Sequence, residues 1–201
     1  IMHACTVFRV GEWQDAWSGA ILSGPKTINV EPKESAGVFQ IPLWHKRGGL
    51  LVAAQEGKLR IGDQNWTELT VEGFPASVPS SERREIYEQD FSAYNENIST
   101  TVELGTGVDG KVWVAVSASD APRSWFVRLH LRRGQLLQLD ESEAEEVVLR
   151  HIHPPTDCAA QDFFPFGGAG TAPACGAGAV AEFQMKVPPE GRRIEATLQY
   201  M

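Results

Sequence analysis

Two histidines and two cysteines near the C-terminal end have the spacing closest to that of a metal site. His151 and His153 stand two residues apart, which places both imidazoles on one face if the segment is a strand. Cys158 and Cys175 follow, and imidazole and thiolate ligands suit zinc. The spacing matches no standard zinc finger, and a disulfide competes for the same sulfurs. We therefore favour two partly exposed strand histidines and predict no metal ligands and no cofactor.

The same two cysteines flank a loop, 159–174, that is rich in Gly, Ala, Pro and Phe. A disulfide between Cys158 and Cys175 would remove unfolded-chain entropy worth about 3 kcal/mol in the entropic model. We expect this disulfide, and two free thiols or two small buried side chains are the alternatives. Cys5, the third cysteine, is then left unpaired.

Two Asn-x-Ser/Thr tripeptides, at Asn65 and Asn97, are candidate glycosylation sites, although such tripeptides also arise by chance. Together with the expected disulfide, they favour the secretory pathway or the extracellular space as the compartment. The unpaired Cys5 is a mild argument against that localisation.

Groups that could act as acids, bases or nucleophiles are present but are poorly arranged. The run 140–146 holds five carboxylates and is typical of a solvated turn. Acid–base catalysis needs two carboxyls that face each other across a pocket with different pKa values. Calcium binding by these carboxylates is an alternative, but no D-x-D-x-D-G loop occurs. Cys5 has only His3 near it, a weak nucleophile–base pattern. We predict no catalytic residue in this chain.

Tryptophan stands out among the large side chains. We expect most of these rings to pack in a core or between domains, because aromatic side chains dominate buried area. Exposed rings on β-sandwiches can instead stack on sugars, which makes Trp113 and Trp125 the candidates for carbohydrate stacking. The six tryptophans are Trp13, Trp17, Trp44, Trp66, Trp113 and Trp125.

The segments that must position these groups have strand patterns. Short runs rich in β-branched residues are separated by turn signals, and residues 125–131 alternate over seven positions. Val108–Lys111 predicts a hairpin. No window of a dozen residues shows a helical stripe. The pattern predicts an all-β chain of one or two antiparallel β-sandwich domains, divided into residues 1–62 and 63–201, with a Gly/Ala/Pro-rich loop at 159–178.

Composition excludes several classes of partner. The 201 residues carry 18 Lys and Arg against 26 Asp and Glu, a net charge of −8. That charge argues against binding the phosphate backbone, so no nucleic acid partner is predicted. The longest apolar stretch, 48–54, is far shorter than the ~20 residues of a membrane span, so no membrane partner is predicted either. No glycine-rich phosphate-binding motif occurs.

Two segments together resemble glycoside hydrolase family 31. Residues 11–19, GEWQDAWSG, resemble the G-x-W-x-D-x-W-[ST]-G stretch that follows the family's catalytic barrel. Residues 41–52, IPLWHKRGGLLV, are similar to its I-P-[VL]-F-x-R-[GA]-G-x-I-[IV]-P stretch. Their order and separation also fit the family. The remainder of the chain is similar to the family's distal C-terminal sandwich as a strand pattern.

The resemblance implies that residues 1–62 and 63–201 are the proximal and distal C-terminal β-sandwiches of a retaining α-glycosidase acting on α-glucosides or related glycans. The family's nucleophile and acid are aspartates on a (β/α)₈ barrel upstream of these motifs, so no residue here inherits a catalytic role. The implied partner is that barrel, in the same or a cleaved polypeptide. The expected interface residues are Trp13, Trp17, Trp44 and Arg47.

The resemblance thus implies a non-catalytic module that braces the barrel. Two alternatives stay open: a carbohydrate-binding module that uses exposed tryptophans, and an inactive structural or interaction protein derived from such an enzyme. The family normally has a strand before Cys5, and the sequence starts at Ile1 rather than Met. We therefore expect the first sandwich to be incomplete at its N-terminus and to be held by a preceding polypeptide, since an open sheet edge invites pairing.

Overall fold

The computed structural model describes residues 4–16, 18–30, 33–35, 38–40, 42–54, 68–89, 97–117, 123–140, 147–153 and 178–200. No helix occurs among them, and hence none long and apolar enough to span a membrane. The strands, in chain order, are β1 (Ala4–Asp15), β2 (Ile21–Val30), β3 (Lys33–Ser35), β4 (Val38–Gln40), β5 (Trp44–Lys46), β6 (Leu50–Ala54), β7 (Glu68–Gly73), β8 (Ser80–Gln89), β9 (Asn97–Thr106), β10 (Lys111–Ser117), β11 (Arg123–His130), β12 (Gln135–Leu139), β13 (Arg150–Ile152), β14 (Val180–Val187) and β15 (Gly191–Tyr200).

Two five-stranded sheets form a sandwich around one apolar core. The β11 sheet has the strand order β13-β14-β11-β7-β6, and the β10 sheet has the order β12-β15-β10-β9-β8. One core cluster joins the fully buried Val71, Trp125 and Val127 of the β11 sheet to Val102 and Val114 of the β10 sheet. Burial of this apolar surface is the dominant favourable term in folding. The prediction of an all-β sandwich fold is confirmed.

Alternation along the strands decides which side chains enter the core. In β10, Val112, Val114 and Val116 are buried, whereas Trp113 and Ala115 are only partly covered on the outer face. This follows from strand geometry, because successive side chains point to opposite faces of a sheet. The β10 sheet therefore presents one apolar face to the core and one polar face to solvent.

The hairpin predicted at residues 108–111 is present between β9 and β10, which pair antiparallel. Gly110 adopts a φ of +78°, a conformation that side chains with a Cβ rarely adopt. The Oδ1 of Asp109 accepts a hydrogen bond from the Lys111 N–H at 3.1 Å. The turn chemistry read from the sequence therefore fixes this connection.

One strand pairing differs from the antiparallel expectation. Strands β7 and β11 run parallel, with Val71 opposite Val127. Parallel neighbours need a long crossover connection. Here the chain leaves the β11 sheet after β7, builds β8, β9 and β10 of the opposite sheet, and returns beside β7. The mixed sheet therefore results from a crossover made of strands rather than a helix.

A third sheet, called here the N-terminal sheet, has the order β2-β1-β5. Its long β1/β2 hairpin shifts register between Phe8 and Gly11, which marks a bulge. The buried Phe8 ring packs against Trp13 and Trp44, with ring centroids 5.5 and 5.0 Å apart. This sheet thus has an aromatic cluster of its own. A separate ladder pairs β3 with β4.

The predicted division between residues 62 and 63 falls within 55–67, outside the described residues, and it stays a prediction. The strand β6 lies on the N-terminal side of that division, yet it pairs with β7 of the β11 sheet. Its first residue, Leu50, is buried in the sandwich core. The sandwich therefore includes a strand that precedes the predicted division.

Candidate functional site: a junction around Arg47

The turn between β5 and β6 carries the chain from the N-terminal sheet into the sandwich. It contains the Arg47-Gly48-Gly49 triplet, and Gly48 has a φ of +86°. The Gly48 N–H donates to the Phe74 carbonyl at 2.5 Å, and the Phe74 N–H donates to the Gly49 carbonyl at 3.0 Å. A Cβ at Gly49 would lie 3.0 Å from the Lys46 carbonyl oxygen. Glycine is therefore required for a turn that is bonded directly to the end of β7.

Arg47 lies inside this junction and is only 4% exposed. Its Nη1 donates to Gln14 Oε1 at 2.7 Å and to the His130 carbonyl at 2.9 Å. Its backbone N–H donates to the Glu12 carbonyl at 2.8 Å. The guanidinium thus connects β1 of the N-terminal sheet to the end of β11. Its Nε has no hydrogen-bond partner among the described residues.

Burial, and then the nearby positive charge of Arg132, lower the pKa of Arg47 to about 10, against the opposing charge of Glu12. The side chain nevertheless stays protonated at neutral pH. A buried charge is costly unless hydrogen bonds replace its hydration. Both side-chain hydrogen bonds of Arg47 to the described residues go to neutral oxygens. The junction therefore holds a cation by dipoles rather than by a direct carboxylate contact.

A second link joins β1 to the segment after β11. Arg132 Nη2 donates to Glu12 Oε2, and the Ser77 hydroxyl donates to the same oxygen at 2.7 Å. Burial alone would raise the pKa of Glu12, but the hydrogen bonds from Arg132 and Ser77 and the charges of Arg132 and Arg47 outweigh it, so this pKa is lowered. Glu12 therefore remains a carboxylate and anchors the N-terminal sheet to the sandwich.

Three aromatic rings stack across the junction. His45 of β5 lies 4.3 Å from Phe74, with 10° between the ring planes, and Phe74 lies 4.5 Å from His130 of β11, with 11° between them. Burial, and then the neighbouring His130, lowers the pKa of His45 to about 4, although Glu72 and Asp15 act in the opposite direction. His45 is therefore neutral at neutral pH and acts as an apolar face of the stack.

The far side of the stack is held by a network across β7, β11 and β14. His130 Nε2 lies 2.6 Å from Glu72 Oε2, and Arg128 Nη1 donates to Glu72 Oε1 at 3.2 Å. Arg128 Nε also donates to Glu182 Oε2 at 2.7 Å. Burial would raise the pKa of Glu72, but the hydrogen bonds and charges of His130 and Arg128 outweigh it and lower this pKa. The network orients His130 for stacking.

Three of the four residues predicted at a domain interface lie in this region. Trp13 and Trp44 cover Phe8, and Trp13 Nε1 donates to the Arg9 carbonyl at 3.1 Å. Arg47 bonds to both the N-terminal sheet and the sandwich. Trp17 lies outside the described residues. The contacts described for these residues are within the chain, and their contact with a barrel stays a prediction.

The two candidates for carbohydrate stacking have different environments. Trp125 is 0% exposed, so its ring is closed to a glycan, and the prediction is wrong for this residue. It shares its strand face with Val127 and Leu129, which are also buried. Trp113 is partly covered on the outer face of the β10 sheet, where its ring lies over Gly105: a Cβ there would be 1.9 Å from Cζ2 of the indole.

The remaining candidates are separated or lie outside the described residues. His151 and His153 have ring centroids 6.4 Å apart, and His151 Nε2 accepts the Leu137 N–H at 3.1 Å, so that nitrogen is not open to a metal. Burial and the nearby His153 lower the pKa of His151. No group of three metal-ligating side chains forms within the described ranges. Outside them lie Cys158, Cys175, Asn65 and the side chain of Asn97, so the disulfide and the glycans stay predictions.

Sequence reasoning singled out Arg47 but missed the residues that surround it. Glu12 and Gln14 belong to the first motif, and their place within it was the signal that could have identified them. His45 likewise belongs to the second motif, whereas Phe74 and His130 lie outside both motifs, at the ends of β7 and β11, and gave no such signal. The junction is thus a tertiary feature that joins residues of both motifs to strand ends that lie outside them.

We expect Arg47→Ala to lower the free energy of unfolding by about 2–3 kcal/mol, because Gln14 Oε1 and the His130 carbonyl would lose a buried donor. For a domain of this size, that corresponds to a fall in Tm of about 4–12 °C in a circular-dichroism melt. The matched control is Lys46→Ala, which removes the exposed neighbouring cation. Equal melting temperatures for the two variants would show that the junction does not depend on Arg47.

We expect the free energy of unfolding to fall as the pH drops from about 6.5 to about 4. In this range His45 is protonated in the unfolded chain, whereas in the folded protein it stays neutral until about pH 4, so protonation favours the unfolded state. His45 contributes less than about 1.4 kcal/mol per pH unit to the change in unfolding free energy, because solvent screens the partly exposed ring. Urea unfolding measured between pH 4.5 and 6.5 tests this, above the range in which Glu12 and Glu72 protonate.

His45→Phe keeps the stack and removes the titrating group, so its stability should lose that slope. His153→Gln, which changes an exposed histidine, should retain the slope. A slope that persists unchanged in His45→Phe would mean that other groups cause the pH dependence.

No protein-family model and no curated protein matches this sequence. Solved structures match its fold. A family 31 glycoside hydrolase dextranase of Flavobacterium johnsoniae, complexed with glucose, matches with a TM-score of 0.58 and 13% identity over 98% of this chain and 24% of the dextranase. The cycloalternan-forming enzyme of Listeria monocytogenes, in complex with a pentasaccharide substrate, matches with a TM-score of 0.51 and 15% identity over 100% of this chain and 17% of the enzyme.

The α-1,4-glucan lyase of Gracilariopsis lemaneiformis matches with a TM-score of 0.51 and 11% identity over 98% of this chain and 21% of the lyase. This chain therefore spans 17–24% of the length of these solved enzymes. At such low identity, the likeness shows a shared fold and not an activity. The resemblance to glycoside hydrolase family 31 is confirmed at this level: the chain has the fold of a β-sandwich portion of enzymes of that family.

Proposed function

We propose that this chain is a non-catalytic C-terminal β-sandwich module of a retaining family 31 α-glycosidase, and that it braces a catalytic (β/α)₈ barrel. The observation that carries the proposal is the fold match, which covers 98–100% of this chain but 17–24% of the matched enzymes. The remaining three quarters or more of such an enzyme has room for the barrel and its substrate subsites. Hydrolysis of α-glucosides or related glycans is then the activity of the whole protein.

The chemistry of the junction supports a non-catalytic role. A retaining glycosidase uses two carboxyls about 5–5.5 Å apart, and its acid has a raised pKa. Glu12 and Glu72, the carboxylates at the junction, have lowered pKa values because Arg132, Arg128 and His130 hold them. Such carboxylates are stable anions that cannot donate a proton near neutral pH. They are suited to fixing one sheet against another.

The N-terminal sheet offers a surface for the barrel. Val7 and Val10 of β1 are 71% and 75% exposed, and the exposed Arg9 and Lys26 are close to them on the β1/β2 hairpin. The other side of this sheet is fixed to the sandwich through Arg47. In the proposal, the barrel covers the valines, and the sandwich supplies the rigid body behind them.

The first test is the mass of the native protein under denaturing, non-reducing conditions, combined with peptide mapping. We expect the peptides of this chain within a longer polypeptide, or in a complex with a barrel chain. A mature protein of 22.0 kDa without any barrel chain would overturn the proposal and favour an inactive structural derivative or a separate binding module. The same spectra test the proposed Cys158–Cys175 disulfide and secretory glycans at Asn65 and Asn97.

The second test asks whether the N-terminal sheet packs against the barrel and stabilises it, or is only joined to it in one polypeptide. In the whole enzyme, we expect the double change Val7→Asp and Val10→Asp to lower the temperature at which α-glucoside hydrolysis is lost by several degrees. Each valine would lose burial worth about 1.5–3 kcal/mol, and each aspartate would add a desolvation cost. Val108→Asp is the matched control, because Val108 is 91% exposed at the β9–β10 turn.

Both variants should leave the melting temperature of this chain by itself unchanged, since the three valines are exposed in it. Inactivation temperatures that agree between the double variant and Val108→Asp would mean that the barrel does not rest on this surface.

A further inference from the structure

An open groove of about 440 Å³ lies at one end of the outer face of the β10 sheet, away from the junction. It crosses β8, β9, β10 and the start of β15. The volume lies within the range of roughly 300–1,000 Å³ that is typical of small-ligand sites. Ala115 and Gly191 contribute a floor of one methyl group and bare backbone, and hydrogen-bonding side chains stand around it.

One rim of the groove is held in place by Trp113. The guanidinium carbon of Arg193 lies 4.6 Å from the centre of the indole ring, and Arg193 Nε donates to Glu195 Oε1 at 2.8 Å. Glu103 Oε1 accepts the Trp113 Nε1–H at 3.3 Å. The partly covered indole thus positions a donor, Arg193, and an acceptor, Glu103, that both line the groove.

Several other lining groups bond to one another or to a neighbouring strand. Arg83 Nη2 donates to the Thr101 hydroxyl at 3.1 Å, and the Ser117 hydroxyl accepts the Thr101 N–H at 2.8 Å. Ser81 Oγ donates to Glu103 Oε1 at 2.8 Å. Side chains that their neighbours already hold lose less conformational entropy when they bind a ligand. The groove therefore presents donors and acceptors that neighbouring side chains partly hold in place.

The charges of the groove nearly cancel. Three arginines line it, together with two glutamates, and two further glutamates form ion pairs with Arg83 and Arg193. The whole chain carries a net charge of −8, which repels anions at longer range. Charge complementarity therefore favours a neutral ligand over a phosphorylated, sulfated or carboxylated one.

We propose that this groove binds a neutral oligosaccharide. A sugar ring has apolar C–H faces that can rest on the floor formed by Ala115 and Gly191. Its adjacent hydroxyls each donate and accept, so they can bond both to arginine donors and to glutamate and hydroxyl acceptors around the groove. This site is separate from the barrel-bracing surface, and its occupation does not depend on a catalytic partner.

Isothermal titration calorimetry of the whole chain tests the proposal, with maltohexaose and isomaltohexaose as neutral probes and hexagalacturonate as the anionic probe. We expect at least one neutral probe to bind with a Kd of about 1 mM or tighter. Ala115→Arg fills the floor and should weaken binding at least about tenfold. Gln138→Arg adds the same side chain at an exposed position of β12 in the same sheet, outside the groove, and should bind normally.

The absence of binding by both neutral probes at about 10 mM, which would saturate a millimolar site, overturns the proposal. Binding of hexagalacturonate alone overturns its choice of a neutral ligand. If Ala115→Arg does not fold, amide chemical shifts of the unmodified protein decide instead. Shifts confined to β9, β10 and the start of β15 support the groove, and shifts elsewhere refute this location.

Discussion

The fold depends on one buried cation at the point where the chain passes between sheets. Arg47 donates to Gln14 in the N-terminal sheet and to the His130 carbonyl at the end of β11. These neutral acceptors replace hydration that the guanidinium loses on burial. Burial lowers the pKa of Arg47 to about 10, against the opposing charge of Glu12, so the side chain is still protonated at neutral pH. The Arg132–Glu12 pair and the His45–Phe74–His130 stack lie around it. Each crosses from the N-terminal sheet or its turn to the sandwich, so the junction acts as one unit.

The sandwich supplies the rigidity against which this junction works. Its core is continuous across two five-stranded sheets, and close packing transmits displacement rather than absorbing it. The parallel pairing of β7 with β11 places Glu72 opposite Arg128 and next to His130. The crossover that distinguishes this sheet from a purely antiparallel one therefore also sets up the network behind the ring stack. The position of His130 in the ring stack therefore depends on the parallel pairing of β7 with β11.

The two proposed roles use different surfaces: the N-terminal sheet for the barrel and the outer face of the β10 sheet for a glycan. The N-terminal sheet exposes two valines on the β1/β2 hairpin, which suits a large protein partner such as a catalytic barrel. The β10 sheet turns a polar face outward, where Trp113 packs on Gly105 and holds Arg193 and Glu103 at the groove. A module of this kind can support an enzyme through one surface and hold a glycan on another. Neither role needs a catalytic carboxylate in this chain.

The sequence by itself determined the all-β class, the β9–β10 hairpin and individual strands such as β10 and β11, because alternation and turn residues act over a few positions. It also contained a signal for the burial of Trp125, whose strand face carries Val127 and Leu129. Only the tertiary structure decided the parallel β7/β11 pair, the recruitment of β6 and the partners of Arg47. Those contacts join residues 83 positions apart for Arg47 and His130, and 120 apart for Arg132 and Glu12. Local patterns carry no information over such separations, because those contacts form only when the whole core packs.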